Sequence, residues 1–244
     1  MTKIKLCGLT RLADIEMSNL LKPDYIGFVF ASKSRRYVNP EKAAKLKKAL
    51  DPAIQAVGVF VDEDPEIIAG LLERDVIDLA QLHGHETEED IRKLKEQTGK
   101  PVIRAFRLKN PGRGKPGQQK LQSGTGQTEG DPDRNFAEKI LREAEKSCAD
   151  HVLLDAGAGD GEAFDWSVLE NFDRPFFLAG GLGPENIMEA IRKVHPYAVD
   201  VSSGIETEGS KDPAKMEVFV KAAREADQDK GIVPLSVRTV PDRI

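Results

Sequence analysis

Only two cysteines, Cys7 and Cys148, occur in the 244 residues, too few for a disulfide framework and readable as free thiols of a reducing compartment. No apolar run approaches the roughly 18 residues needed to span a bilayer. The chain opens on a polar-flanked strand, Lys3-Ile4-Lys5-Leu6, so a secretory signal is not expected and a cytoplasmic location is. A basic surplus is missing too: 36 Lys and Arg against 41 Asp and Glu leave a formal charge of −5. Nucleic acid and anionic membranes are therefore not expected partners, and any anionic ligand has to be held by a local site.

What is present is an alternation of short apolar runs with amphipathic stretches. The runs predict strands near Lys3–Leu6, Tyr25–Phe30, Ala56–Val61, Ile77–Leu82, Val102–Phe106, His151–Leu154, Pro175–Ala179 and Ala198–Val201. Between them apolar residues recur at helical spacing, as in Ile67, Ile68, Leu71, Leu72 or Ile187, Ile191, Val194. Asn39-Pro40, Asp64-Pro65 and Asp212-Pro213 each set a capping side chain before a proline suited to the first helical turn, and Thr87 with Asp90 resembles a capping box. Eight β–α repeats imply a parallel sheet and favour a single-domain (β/α)8 barrel over an open doubly wound sheet, the alternative on pattern alone. Residues 1–226 would form the barrel and 227–244 a tail. In a barrel the ligand chemistry collects at the C-terminal ends of the strands.

One stretch breaks the rhythm. Lys109 to Arg134 holds six glycines, three prolines and a single large aliphatic, Leu121, and predicts a mobile insertion after the fifth strand. A tolerated loop is the favoured reading of it, with an active-site lid as the alternative.

The informative residues follow the strands. Cys7 exits the first, readable as a small buried hydrophobe or, in an electropositive site, as a thiolate. Arg35 and Arg36 follow the second, solvated or forked onto a carboxylate or phosphate. His83 and His85 end the fourth; with no third ligand they suggest a polar pocket wall rather than a metal site. Asp155 stands where an apolar strand opens into a loop, and burial there would favour the protonated acid. Gly180 and Gly181 follow strand seven, with a helix expected to start near Pro184, and Ser202, Ser203 and Gly204 follow strand eight. Small-residue loops at these two positions suit a phosphate held by backbone N–H groups, with ordinary glycine turns as the bland reading. No metal or nucleotide constellation is evident, so no cofactor is expected.

Taken together, Lys5-Leu6-Cys7-Gly8-Leu9-Thr10, Gly27-Phe28-Val29-Phe30, Ser34-Arg35-Arg36-Tyr37, Gln81-Leu82-His83-Gly84, Phe164-Asp165-Trp166, Leu178-Ala179-Gly180-Gly181-Leu182 with Pro184-Glu185-Asn186, and Asp200-Val201-Ser202-Ser203-Gly204-Ile205-Glu206 resemble the motifs of the phosphoribosylanthranilate isomerase family, in the family's order. The resemblance implies an isomerase of tryptophan biosynthesis that converts N-(5′-phosphoribosyl)anthranilate to 1-(2-carboxyphenylamino)-1-deoxyribulose 5-phosphate, as a monomer or homodimer. It implies Asp155 as general acid, Cys7 as general base and Arg36 on the anthranilate carboxylate. Gly180, Gly181, Ser202, Ser203 and Gly204 would surround the phosphate, His83 would line the pocket, and Asp200 would support the sugar or the loop. The stretch Gly159-Asp160-Gly161-Glu162-Ala163 departs from the pattern, with acids where the family carries neutral or basic residues. Three other readings compete: indole-3-glycerol phosphate synthase, a barrel that binds a phosphosugar without catalysis, and an isomerase that also takes the aminoaldose of histidine synthesis. Cys7 at the end of strand one argues against the first and third, and retention of both Cys7 and Asp155 against the second.

Overall fold

The computed structural model describes residues 1–109, 131–157 and 165–228. Eight parallel strands close in sequence order into a barrel: β1 (Lys3–Cys7), β2 (Tyr25–Val29), β3 (Gln55–Phe60), β4 (Leu79–Leu82), β5 (Val102–Arg107), β6 (His151–Asp155), β7 (Phe176–Ala179) and β8 (Ala198–Val201). The seam is the β1–β8 ladder, which aligns Lys3 with Ala198, Ile4 with Val199, Lys5 with Asp200 and Leu6 with Val201. The expected barrel is thus the architecture found, with strand ends shifted by one or two residues. The largest shift is at β4, where Asp78 precedes the ladder and its carboxylate accepts from the Ala56 N–H.

Helices α1 (Leu12–Leu21), α2 (Pro40–Ala49), α3 (Pro65–Glu73), α4 (Glu88–Thr98) and α5 (Pro132–Lys146) follow the first five strands, and α6 (Ile187–Val194) and α7 (Pro213–Gln228) follow the last two. Among the described residues, the connection after β6 carries only a short 3-10 turn, Trp166–Leu169. A two-strand hairpin, β9 (Glu206–Thr207) with β10 (Ser210–Lys211), lies between β8 and α7. The expected caps are in place. Asn39 accepts from the Lys42 N–H, Asp64 from Glu66 and Asp212 from Ala214, while Thr87 and Asp90 form a reciprocal capping box. Each ties down an N–H that the first helical turn would otherwise leave unpaired.

Three boundaries differ from the sequence-based expectation. Asp131 caps α5 through the Asp133 N–H, so residues 131–134 open a helix instead of closing an insertion; the rest of that stretch, 110–130, lies outside the described residues. α6 starts at Ile187, with a turn at 184–186 where a helix start was expected. α7 runs through the expected boundary at 226 to Gln228, and Asp227 accepts from both the backbone and the hydroxyl of Thr2. The tail beyond Gln228 lies outside the described residues, as does the acidic stretch after β6.

Alternation along the strands divides the core in two. One face packs outward against the helices, where Leu6, Ile26, Phe28, Leu82, Val152 and Leu154 join the main cluster. The other fills the barrel with Tyr25, Val57, Leu79, Ile103, Leu153 and Phe177, while Cys7, Val29 and Val59 make a smaller group. Phe177 is fully buried, with ring centroids of Tyr25, His151 and Tyr197 at 5.4, 5.6 and 5.6 Å. Removing this ring leaves a cavity that a closed barrel cannot collapse into. Phe177→Ala should therefore lower the unfolding free energy by about 3–5 kcal/mol in urea titrations. Tyr25→Phe, which loses only a hydroxyl contact to Tyr197, should cost about 1 kcal/mol.

Candidate active site

The inward positions that stay apolar deeper in the barrel turn polar toward the C-terminal mouth: Lys5 and Cys7 on β1, Gln81 on β4, Asp155 on β6 and Asp200 on β8. These residues and the loops above them make three stations.

The first is at the seam. Lys5 Nζ lies 2.8 Å from Asp200 Oδ2, with the lysine side chain wholly buried and the aspartate nearly so. Asp200, expected to support the sugar or the loop, accepts from this lysine, and its Oδ1 is buried with no hydrogen bond among the described residues. Cys7 stands two residues along the same strand face. Gly27 on β2 leaves room for it, since a Cβ there would lie 2.7 Å from the sulfur. Burial pushes the thiol up, and Asp200 adds to this. Lys5 and Lys211 pull it down without cancelling the rise, so the resting group is the thiol.

The second station joins β4 and β6. His83 Nε2 lies 3.3 Å from Asp155 Oδ2, and its Nδ1 lies 3.3 Å from Gln81 Nε2. Burial pushes the Asp155 carboxyl up as expected, but the hydrogen bond and charge at His83, the Gly157 N–H at 2.9 Å and Arg107 outweigh it. The carboxyl sits below its ordinary range, which corrects the expectation that burial alone would keep it protonated. His85 does not join this station. It is exposed and pairs with Asp62 at 3.0 Å, so the two histidines face different surroundings. Among the described residues no group of three or more His, Cys, Asp or Glu is arranged to hold a metal.

The third station is cationic. Glu206, at the start of β9, accepts Arg36 in a two-point fork (Nε–Oε1 2.6 Å, Nη2–Oε2 2.9 Å), together with Lys211 at 2.8 Å and Arg35 at 2.5 Å. Arg36 thus shows the geometry for gripping a carboxylate, here one of its own chain. Lys211 Nζ also donates to the Ser202 carbonyl at 2.8 Å, while Ser202 Oγ donates to the Cys7 carbonyl at 3.1 Å.

The two small-residue loops meet beside this station. Gly180 and Gly181 have φ of +93° and +65°, and a Cβ on Gly180 would lie 2.4 Å from the Gly157 nitrogen. A Cβ on Gly204 would lie 2.0 Å from the Leu182 carbonyl oxygen, so only glycine lets the loops after β7 and β8 touch. Ser203 opens a single 3-10 turn, Ser203–Ile205.

The family model for N-(5′-phosphoribosyl)anthranilate (PRA) isomerase matches residues 4–120 and 128–222. The chain belongs to the N-(5′-phosphoribosyl)anthranilate isomerase family. The N-(5′-phosphoribosyl)anthranilate isomerase of Endomicrobium trichonymphae is 42% identical over 229 residues, covering 92% of this chain and 99% of that protein. That of Acetivibrio thermocellus is 40% identical over 241 residues, covering 93% and 98%. The crystal structure of phosphoribosyl anthranilate isomerase from Thermotoga maritima matches with a TM-score of 0.74 at 35% identity, over 92% of this chain and all of that one. A family structure in complex with reduced 1-(o-carboxyphenylamino)-1-deoxyribulose 5-phosphate matches with a TM-score of 0.73 at 35% identity, over the same shares of the two chains.

For this family member, sequence reasoning assigned no role to Lys5, Gln81, Glu206 or Lys211. Lys5 and Gln81 carried a usable signal, a polar residue at an inward position of a strand. Glu206 lay inside a quoted motif. Lys211 had none.

The cationic station sets a pH dependence. Burial pushes the Glu206 carboxyl up, but Arg36 and Lys211 overcome this and bring it from 4.5 to about 2. A carboxyl lowered on folding contributes stability that is present above its unfolded value and lost as pH falls through the folded one. Glu206→Gln should lower stability at neutral pH by about 2–4 kcal/mol, because two cations lose a shared buried partner. It should also flatten the loss of stability between pH 4.5 and about 2. Urea midpoints measured across that range decide the matter, and parallel curves for the two proteins would count against the assignment.

Proposed function

We propose that this chain converts N-(5′-phosphoribosyl)anthranilate to 1-(2-carboxyphenylamino)-1-deoxyribulose 5-phosphate in tryptophan biosynthesis, with Asp155 as general acid and Cys7 as general base. The observation that carries the residue assignment is placement. Among the described residues, the ends of β1 and β6 present a thiol and a histidine-bonded carboxyl, three steps apart around the barrel in the order 6-7-8-1. A sugar bound between them meets the two groups from different sides.

In the first step Asp155 gives its proton to the ribose ring oxygen. The C1′–O bond breaks with its electron pair on oxygen, and the anilino nitrogen supplies the pair that makes the C1′=N Schiff base. Cys7, as thiolate, then takes the C2′ proton. The C–H pair becomes the C1′=C2′ double bond, and the C=N pair returns to nitrogen. The resulting enolamine becomes the ketone by moving a proton from O2′ to C1′. One proton has entered at the ring oxygen and one has left from C2′, so the product is an isomer, and solvent resets the acid and the base. The chemistry draws on no cofactor.

Arg36 supplies the fork for the anthranilate carboxylate, and the backbone of Gly180, Gly181, Ser202, Ser203 and Gly204 cradles the phosphate. Lys211, bonded to the Ser202 carbonyl, lends charge to that loop. His83 binds and orients Asp155. No described helix is long and apolar enough to cross a membrane, and we assign the chain to the cytoplasm. We assign it the state of a monomer or homodimer; a Thermotoga maritima relative is dimeric.

Turnover of freshly generated phosphoribosylanthranilate, followed by loss of anthranilate fluorescence, tests the proposal. Wild type should turn over, and Cys7→Ala and Asp155→Ala should each lose at least about 10²-fold in kcat. Full activity in Cys7→Ala would overturn the base assignment. A wild type that binds the product yet catalyses nothing would point to a binding barrel.

A further inference from the structure

The Lys5–Asp200 pair has no part in the steps above, yet it occupies the floor of the site. The barrel interior below the mouth is otherwise filled by an apolar cluster that includes Val57, Leu79, Ile103 and Leu153. An ammonium in that company costs several kcal/mol of desolvation even when paired, and an apolar residue would serve packing as well or better. Lys5 therefore calls for a reason other than stability. Its place supplies one. Two residues along a strand bring it to the same face as Cys7, about 6–7 Å away at the backbone, and each group acts on the other's ionisation.

The charged groups facing Cys7 can be named element by element. Lys5 is on its own strand, Asp200 on β8, Lys211 on β10, and Arg36 in the loop after β2. On the remaining side Val29 and Val59 are apolar. Glu206 is the partner of Arg35 as well as of Arg36 and Lys211, so four cations stand against two carboxylates. The constellation is positive in sum, a field that favours a thiolate.

We propose that Lys5 is a positioning residue for proton abstraction, its ammonium stabilising the Cys7 thiolate while Asp200 anchors that ammonium. This rests on the reading of Cys7 as the base. The thiol first loses its proton to water at the barrel mouth. The thiolate then takes the C2′ proton as described above, and Lys5 neither gives nor accepts one. The directions agree: burial pushes Lys5 down, but Asp200 and Cys7 together lift it above its ordinary value, so it stays charged.

The test reads the thiol directly. In a Cys148→Ser background, the pH midpoint for alkylation of Cys7 by iodoacetamide and for its ultraviolet thiolate absorbance is measured in the full chain. Lys5→Met should raise the midpoint by about one pH unit or more, and Asp200→Asn, which removes a negative neighbour, should lower it. Lys5→Arg should stay near wild type. Turnover of Lys5→Met should fall at least about tenfold at neutral pH and recover in part as pH rises, because alkali restores the thiolate. Midpoints that do not move in folded variants, or that move in the same direction for both, overturn the proposal. If Lys5→Met does not fold, Asp200→Asn alone decides, and an unlowered midpoint is a refutation. Should Cys7→Ala remain active while Lys5→Met still shifts the thiol, the base assignment fails and the coupling between Lys5 and the sulfur stands.

Discussion

Across the seam where the last strand meets the first, Lys5 and Asp200 face each other in register and form an ion pair inside the barrel. Slipping that ladder by one residue would turn Asp200 toward the helices and strand an ammonium in an apolar interior. The cost of burying the pair is thus offset by what it specifies, a single closure. The same register sets Ser202 next to Cys7, where its hydroxyl donates to the Cys7 carbonyl. The thiol and the loop assigned to the phosphate are consequently placed by one strand pairing. An error at the seam would misplace both together.

Above the seam the site is assembled by close approach. The loop after β7 touches the loop after β6 where Gly180 meets Gly157, and the loop after β8 where Leu182 meets Gly204; a Cβ on Gly180 or Gly204 would drive into that neighbouring backbone. These contacts let groups from distant parts of the chain share partners. Glu206 gathers Arg35, Arg36 and Lys211, and Lys211 in turn holds the Ser202 carbonyl. Each charged group is held by a rigid element on one side and a loop on the other, which is how such a site keeps its geometry before a ligand arrives.

Features governed by near neighbours in the chain were legible in the sequence. Strand alternation, the caps at Asn39, Asp64 and Asp212, and the box at Thr87 are local matters, and all are found. Asp131-Pro132 is the same signal as Asp64-Pro65, but it was hidden at the edge of a glycine-rich stretch whose composition pointed the other way. Their places at strand ends and the family resemblance brought Cys7, Asp155 and Arg36 to attention. What they could not carry was ionisation. Asp155 reverses the expected direction because its strongest opposing partner, His83, comes from the loop just after β4. Cys7 rests as a thiol because the burial of its position outweighs lysines drawn from β1 and β10. Such balances are set through space, and linear spacing does not encode them.

The resting site therefore holds its proton on the sulfur and its charge on the carboxyl, the opposite of what the proposed chemistry uses. A substrate with a phosphate and a carboxylate moves one half of this balance in the productive direction, since added negative charge near Asp155 favours its protonated form. It moves the other half the wrong way, because the same charge opposes a thiolate. The arrangement of cations answers that conflict. Arg36 lies at a loop and is partly exposed, where an anionic ligand would engage it and draw its charge away from the sulfur. Lys5 lies below, sealed from the mouth and tied to Asp200, so no ligand can recruit it. A cation out of the substrate's reach is the one that keeps acting on the sulfur once the site is filled. Burying Lys5 on the floor of the barrel, at the expense of packing, provides that cation.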